Sequence, residues 1–221
     1  MGLESVGRGW TGGALLALVP RAAARDETAM DSPKSYAGAH DAELVHWTAG
    51  GDRQAFGEIV TRHGPFALRV AVRLVGDPHA AEDLVQEAMV RAWSQARHFD
   101  PTRARFATWL YRIVVNLCID HCRRVRPEPL PDNFDPVDTS PGAEETIADD
   151  QRRSALMKAL AELPVRQRAA MTLVYDEGMS GAEAARVLGV SVKAVERLLA
   201  RARAFLRERL TPEYGGKEIG R

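Results

Sequence analysis

Residues 180–203 read SGAEAARVLGVSVKAVERLLARAR, and the architecture of the C-terminal part of the chain follows from them. Ser180 followed by Glu183 is a capping box: the hydroxyl satisfies the N3 amide and the carboxylate reaches back to the Ser amide, so a helix opens at Gly181. Gly189 ends it, since a tight turn between helices needs a residue that tolerates positive φ. Ser191 then caps a long final helix, expected to reach about Arg209. Ala184 and Ala185 let the two helices approach, and Val190, Val195 and Leu198 fix them at a steep angle, the pattern of a helix-turn-helix. The final helix is expected to bury Val192, Val195, Leu199, Ala202 and Leu206 on one stripe. Lys193, Arg197 and Arg201 recur at four-residue spacing on another face, suited to phosphates and base edges in a major groove. The plainer alternative is a solvated basic face on an amphipathic helix.

Upstream, helices are expected over Gln151–Leu163, stopped by Pro164, and Val165–Glu177, ended by Gly178. Before them, residues 127–150 hold five of the twelve prolines and eight acidic residues with no basic one. Proline removes a backbone donor and biases its predecessor away from helix, so this stretch reads as a linker. Further toward the N-terminus the pattern is again helical: Asp41–Ala49, Arg53–Val75 with a kink expected at Gly64-Pro65, Asp77-Pro78 to about Arg97, then a loop His98–Ala104 and a helix over Phe106–Arg124. No convincing strand alternation appears. The predicted fold is all-α: helical domains at 41–126 and 151–210, the acidic linker 127–150, a disordered extension 1–40 with Met30 as an alternative start, and a tail 211–221.

The 221 residues carry 30 basic and 30 acidic side chains, net zero. Divided as above, residues 1–40 are net 0, 41–126 net +2, 127–150 net −8 and 151–221 net +6, so neutrality conceals two basic segments and an acidic one. The tether is expected to suppress tight DNA binding by the free chain. Only two cysteines, Cys118 and Cys122, exclude a disulfide scaffold. The apolar run Ala14–Val19 is far short of the ~20 residues of a membrane-spanning helix, so no membrane insertion is expected. Cys118, His121 and Cys122 share a helical face but lack a fourth ligand, so no metal is expected. With no Gly-rich phosphate loop, paired carboxylates or nucleophile motif, an enzyme with a cofactor or small-molecule substrate has no residues to carry it.

Five of the fourteen aromatics, Trp93, Phe99, Phe106, Trp109 and Tyr111, fall within nineteen residues beside Arg103, Arg105 and Arg112. Aromatics among cations suit single-stranded nucleic acid, although in a small helical domain most aromatics are core. The run DLVQEAMVRAW, then FATWLYRIVVNLCIDHCRR, the acidic linker and LPVRQRAAMTLVYDEGMSGAEAARVLGVSVKAVERLLARAR resembles a bacterial sigma factor of the extracytoplasmic-function group (group 4) over about residues 41–210.

That resemblance implies a cytoplasmic subunit that binds core RNA polymerase, directs it to promoters, and is held inactive by an anti-sigma factor. It implies that Asp83, Gln86 and Glu87 dock on the polymerase, with Leu84, Ala88 and Ala92 turned inward. Phe99 and Asn116 would hold a flipped base of the single-stranded minus-ten element, with Arg112, Arg123 and Arg124 supplying backbone charge. Ser191, Lys193, Arg197, Arg201 and Arg203 would contact the minus-35 duplex. The recognition helix departs from the commonest pattern: Ala194-Val195-Glu196-Arg197-Leu198 stands where Thr-Val-Arg-Ser-Arg is usual, and Val174 where some members have Arg. Base preference therefore does not transfer. Glu196 either accepts from a cytosine amino group or pairs with a nearby Arg, the second being preferred. The rival reading is a stand-alone helix-turn-helix regulator; a weaker third is a metal- or thiol-responsive sensor using Cys118 and Cys122.

Overall fold

The computed structural model describes residues 35–125 and 147–214. Most of the expected linker, the alternative start at Met30 and the end of the tail lie outside the described residues. The helices are α1 (Asp41–Ala49), α2 (Arg53–Val75), α3 (Pro78–Gln95), α4 (Phe106–Val125), α5 (Ile147–Glu162), α6 (Val165–Met171), α7 (Gly181–Leu188) and α8 (Val192–Tyr214). Short 3-10 turns lie at Tyr36–Gly38 and Ala96–His98, and no strand occurs among the described residues. The chain divides into two compact units between Cys118 and Ile119, within α4.

In the first unit the helix starts are set by carboxylates. Asp52 accepts from the amides of Gln54 and Ala55 at 3.0 Å, and Asp77 from those of His79 and Ala80 at 2.9 and 3.3 Å, with Pro78 opening α3. Gly76 ends α2 at φ 82°, a conformation that disfavours a side chain. Helix α2 runs through Gly64-Pro65 and buries Phe56, Ile59, Val60, Leu68 and Leu74, packing on α1 and α3. The Phe56 ring meets Trp93 of α3 edge-on at 5.2 Å.

Residues 35–40, expected to belong to a disordered extension, are instead tied down. The Arg62 guanidinium donates to the carbonyls of Tyr36, Ala37 and Ala39 at 2.7–2.9 Å and pairs with Asp41 and Glu58. The Tyr36 hydroxyl donates to Asp52 at 3.1 Å, and its ring stands edge-on to Trp47. The sequence carries little sign of these contacts at 35–40, since three of the acceptors are backbone carbonyls, which composition does not reveal.

Next to Arg62, His63 is buried with Nε2 2.9 Å from Asp41 Oδ2 and Nδ1 3.0 Å from the Tyr111 hydroxyl. A neutral ring satisfies both contacts: Nε2–H donates to the carboxylate and Nδ1 accepts from the phenol. Burial pushes the His63 pKa below its ordinary 6.5 and Arg62 works in the same direction, while Asp41 opposes them. Because the folded state binds this proton less readily than the unfolded chain, its contribution to stability is complete above about pH 6.5 and is lost as pH falls through the lower folded value. The urea midpoint should therefore fall between pH 7.5 and pH 5 by more in the wild type than in His63→Gln; equal falls would show that His63 is not the titrating group.

In the second unit α8 is the mast on which α5, α6 and α7 pack. Ala159 and Leu163 are buried against Ala202 and Leu206, with Leu160, Met171 and Phe205 around them. Helix α5 begins at Ile147, so the last four residues of the expected linker are helical; Pro141, the final proline of that stretch, lies well before it. The single helix expected over 165–177 is two segments. After Met171 the chain widens into a π-helical turn, Thr172–Asp176, closed by the Glu177 amide on the Thr172 carbonyl at 3.0 Å. Apolar spacing carries no signal for one widened turn.

Candidate nucleic-acid interface

The helix-turn-helix forms as its residues dictate. The Glu183 amide donates to Ser180 Oγ at 3.3 Å while Glu183 Oε2 accepts from the Ser180 amide at 2.9 Å, the reciprocal capping box. Gly189 sits at φ 65°, and Ser191 Oγ accepts from the Ala194 amide at 3.2 Å to start α8. Ala184, Ala185, Val187 and Leu188 of α7 are buried, as are Val195, Leu199, Ala202 and Leu206 of α8. Ser191, Lys193, Arg197, Arg201 and Arg203 are all exposed, and the four cations are free of side-chain partners among the described residues. A cation held by no carboxylate keeps its charge available to a phosphate.

Two expectations about this helix need correction. Val192, assigned to the buried stripe, is 43% exposed; Gly181 of α7, where a Cβ would touch its Cγ1 at 3.8 Å, has no side chain to cover it. Glu196, expected to pair with an arginine, forms no side-chain hydrogen bond or ion pair among the described residues. Its neighbours one turn away are Val192 and Ala200 at four residues and Lys193 and Leu199 at three, so the register puts no guanidinium in line with it.

In the first unit, Leu84, Ala88 and Ala92 of α3 are buried, and Asp83 and Glu87 are exposed with Gln86 half-buried beside them. Glu87 pairs with Arg91 one turn on, which reduces its free charge but leaves it on the surface. The loop before α4 is shaped by Asp100, which accepts from the Thr102 hydroxyl at 2.6 Å and amide at 2.9 Å. Those two bonds, the hydroxyl's first, hold the Asp100 carboxyl below its ordinary range. The turn follows Phe99, whose half-buried ring lies 5.5 Å from both Phe106 and Trp109. Phe99 and Trp109 thus present partly open faces, while Trp93 packs on Phe56, and Tyr111 stacks on Phe66 at 4.1 Å. Of the five clustered aromatics, Phe106 and Tyr111 are buried in the core, whereas Trp93, Phe99 and Trp109 are half-buried.

Arg112 and Asn116 lie one turn apart on the exposed side of α4, one and two turns beyond Trp109. Arg123 and Arg124 are exposed in the last turn of the same helix, past the division between the units, with Arg124 Nε donating to the Asp120 carbonyl at 3.4 Å. Cys118 and Cys122 are buried free thiols, and among the described residues no three His, Cys, Asp or Glu side chains are grouped to hold a metal ion. Nor is any described helix long and apolar enough to cross a membrane. Sequence reasoning missed the Arg62–His63 hub, whose only legible sign was an Arg-His pair inside an apolar helix face.

An exposed basic recognition helix on a capped helix-turn-helix defines the second unit as a DNA-reading module. Residues 59–128 match the family described as Sigma-70 region 2, and residues 153–206 that described as Sigma-70, region 4. The ECF RNA polymerase sigma factor SigE of Mycolicibacterium smegmatis is 38% identical over 169 residues, covering 73% of this chain but only 65% of that protein's length. The ECF RNA polymerase sigma factor SigM of Mycobacterium tuberculosis is 38% identical over 169 residues, covering 75% of this chain and 82% of that protein. A solved structure of CnrH in complex with the cytosolic domain of CnrY superposes with a TM-score of 0.58 at 34% identity, covering 78% of this chain and 97% of CnrH. The chain belongs to the ECF RNA polymerase sigma factors of the sigma-70 family.

Proposed function

We propose that the chain is a cytoplasmic promoter-specificity subunit that acts without chemistry of its own. It docks on core RNA polymerase through Asp83, Gln86 and Glu87. It captures the single-stranded minus-ten element with Phe99, Arg112 and Asn116, aided by Arg123 and Arg124, and binds the minus-35 duplex with Ser191, Lys193, Arg197, Arg201 and Arg203. Extruding a base costs a few kcal/mol, which stacking and hydrogen bonding return, so promoter opening is driven by binding. An anti-sigma factor is the natural antagonist, a reading supported by the complex of CnrH with the cytosolic domain of CnrY.

The observation that carries this reading is the ordered pair of regions 2 and 4 in one chain. A stand-alone regulator would need the helix-turn-helix alone. In transcription assays with core polymerase, the chain should yield promoter-dependent run-off product, and it should bind the same promoter weakly without core. Tight, core-independent binding to a palindrome with no transcript would establish the stand-alone regulator instead.

A further inference from the structure

We infer that Glu196 and Val192 form a base-reading strip on α8, the carboxylate accepting from a cytosine amino group and the valine methyls contacting a thymine methyl. The inference rests on the reading of α8 as the minus-35 recognition helix. Between Ser191 and Arg207, Glu196 is the only carboxylate, set among Lys193, Arg197, Arg201, Arg203 and Arg207. Such a group repels every phosphate nearby and so weakens non-specific affinity. A surface carboxylate in a basic helix is ordinarily explained by an ion pair, and Glu196 has none among the described residues.

Its position supplies another explanation. Val192, Glu196 and Ala200 are exposed and spaced four residues apart, one row without a cation, while Lys193, Arg197 and Arg201 form the adjacent row. Cations position the duplex by its phosphates, and groups that complement base edges specify sequence. In the major groove a carboxylate matches the cytosine N4 donor, and an apolar side chain matches the thymine methyl. Val192 is the one large apolar side chain exposed on this face, and the glycine at 181 spares its Cγ1 the van der Waals contact that a Cβ there would make at 3.8 Å.

The test is run-off transcription by the full chain with core polymerase on templates randomised across the minus-35 element, reading base preference within each transcript pool. The wild type should enrich cytosine at one position and thymine at a neighbouring one. Glu196→Gln should move the first preference toward adenine by about tenfold, because an amide matches adenine's donor and acceptor, and Glu196→Ala should flatten it. Val192→Ala should erase the thymine preference, as should replacing that thymine by deoxyuridine for the wild type, a comparison that needs no variant to fold. Transcription with unchanged preferences in both Glu196 variants, or indifference of the wild type to the thymine methyl, overturns the strip alone. No transcript from any template overturns the promoter-recognition reading, and the strip with it.

Discussion

Asn116→Ala is expected to cut run-off transcription with core polymerase by at least about tenfold, the loss that follows from removing a bidentate-quality contact to one base. The same substitution should leave the thermal midpoint unmoved. Asn116 is exposed on α4, and its side chain has no hydrogen-bond partner among the described residues. Alanine is also the better helix former, so the fold loses nothing by the exchange. Affinity for core polymerase is the control, since the docking row proposed above lies on α3. A template with a pre-opened minus-ten bubble should recover part of the deficit, because the base no longer has to be unstacked before capture. Full activity on closed templates would remove Asn116 from the interface.

The second large effect is on stability. Phe56→Ala should destabilise the protein by about 3–5 kcal/mol, the range for deleting a buried aromatic ring and leaving a cavity. Phe56 is 1% exposed and its ring joins α2 to α3 through Trp93. Because α3 carries Asp83, Gln86 and Glu87, affinity for core polymerase should weaken in step with the urea midpoint. Phe56→Leu, which keeps much of the volume, should cost considerably less. An unchanged midpoint in the alanine variant would mean that the α2–α3 seam does not depend on this ring.

What could be read in advance was whatever has a local cause. The Ser180–Glu183 box, the Gly189 turn, the Asp77-Pro78 start and the spans of α1 and α2 depend on a few adjacent side chains, and all stand where the residues place them. The inward set Leu84, Ala88 and Ala92 followed from helical periodicity in the same way. What escaped depends on distant partners or on backbone. Val192 sits on the apolar stripe by spacing, yet Gly181, where a Cβ would touch it, has no side chain to offer. Phe106 and Tyr111 are indistinguishable in sequence from Phe99 and Trp109, and only the packing around them, with Phe66 stacked on Tyr111, makes them core. The π turn after Met171 rearranges backbone bonds without altering residue type.

The Arg62 contacts tie residues upstream of the region 2 match into this unit. The region 2 match starts at residue 59, whereas the guanidinium holds oxygens at Tyr36, Ala37 and Ala39. Every residue type carries the same main-chain oxygen, so Ala37 and Ala39 can change side chain without removing these acceptors, while Tyr36 is also held by its hydroxyl on Asp52 and Arg62 is constrained by all three. A profile built on residue preferences is blind to such a segment. A fragment cut at the profile's edge would strip a planar cation of its acceptors and lose α1 as well.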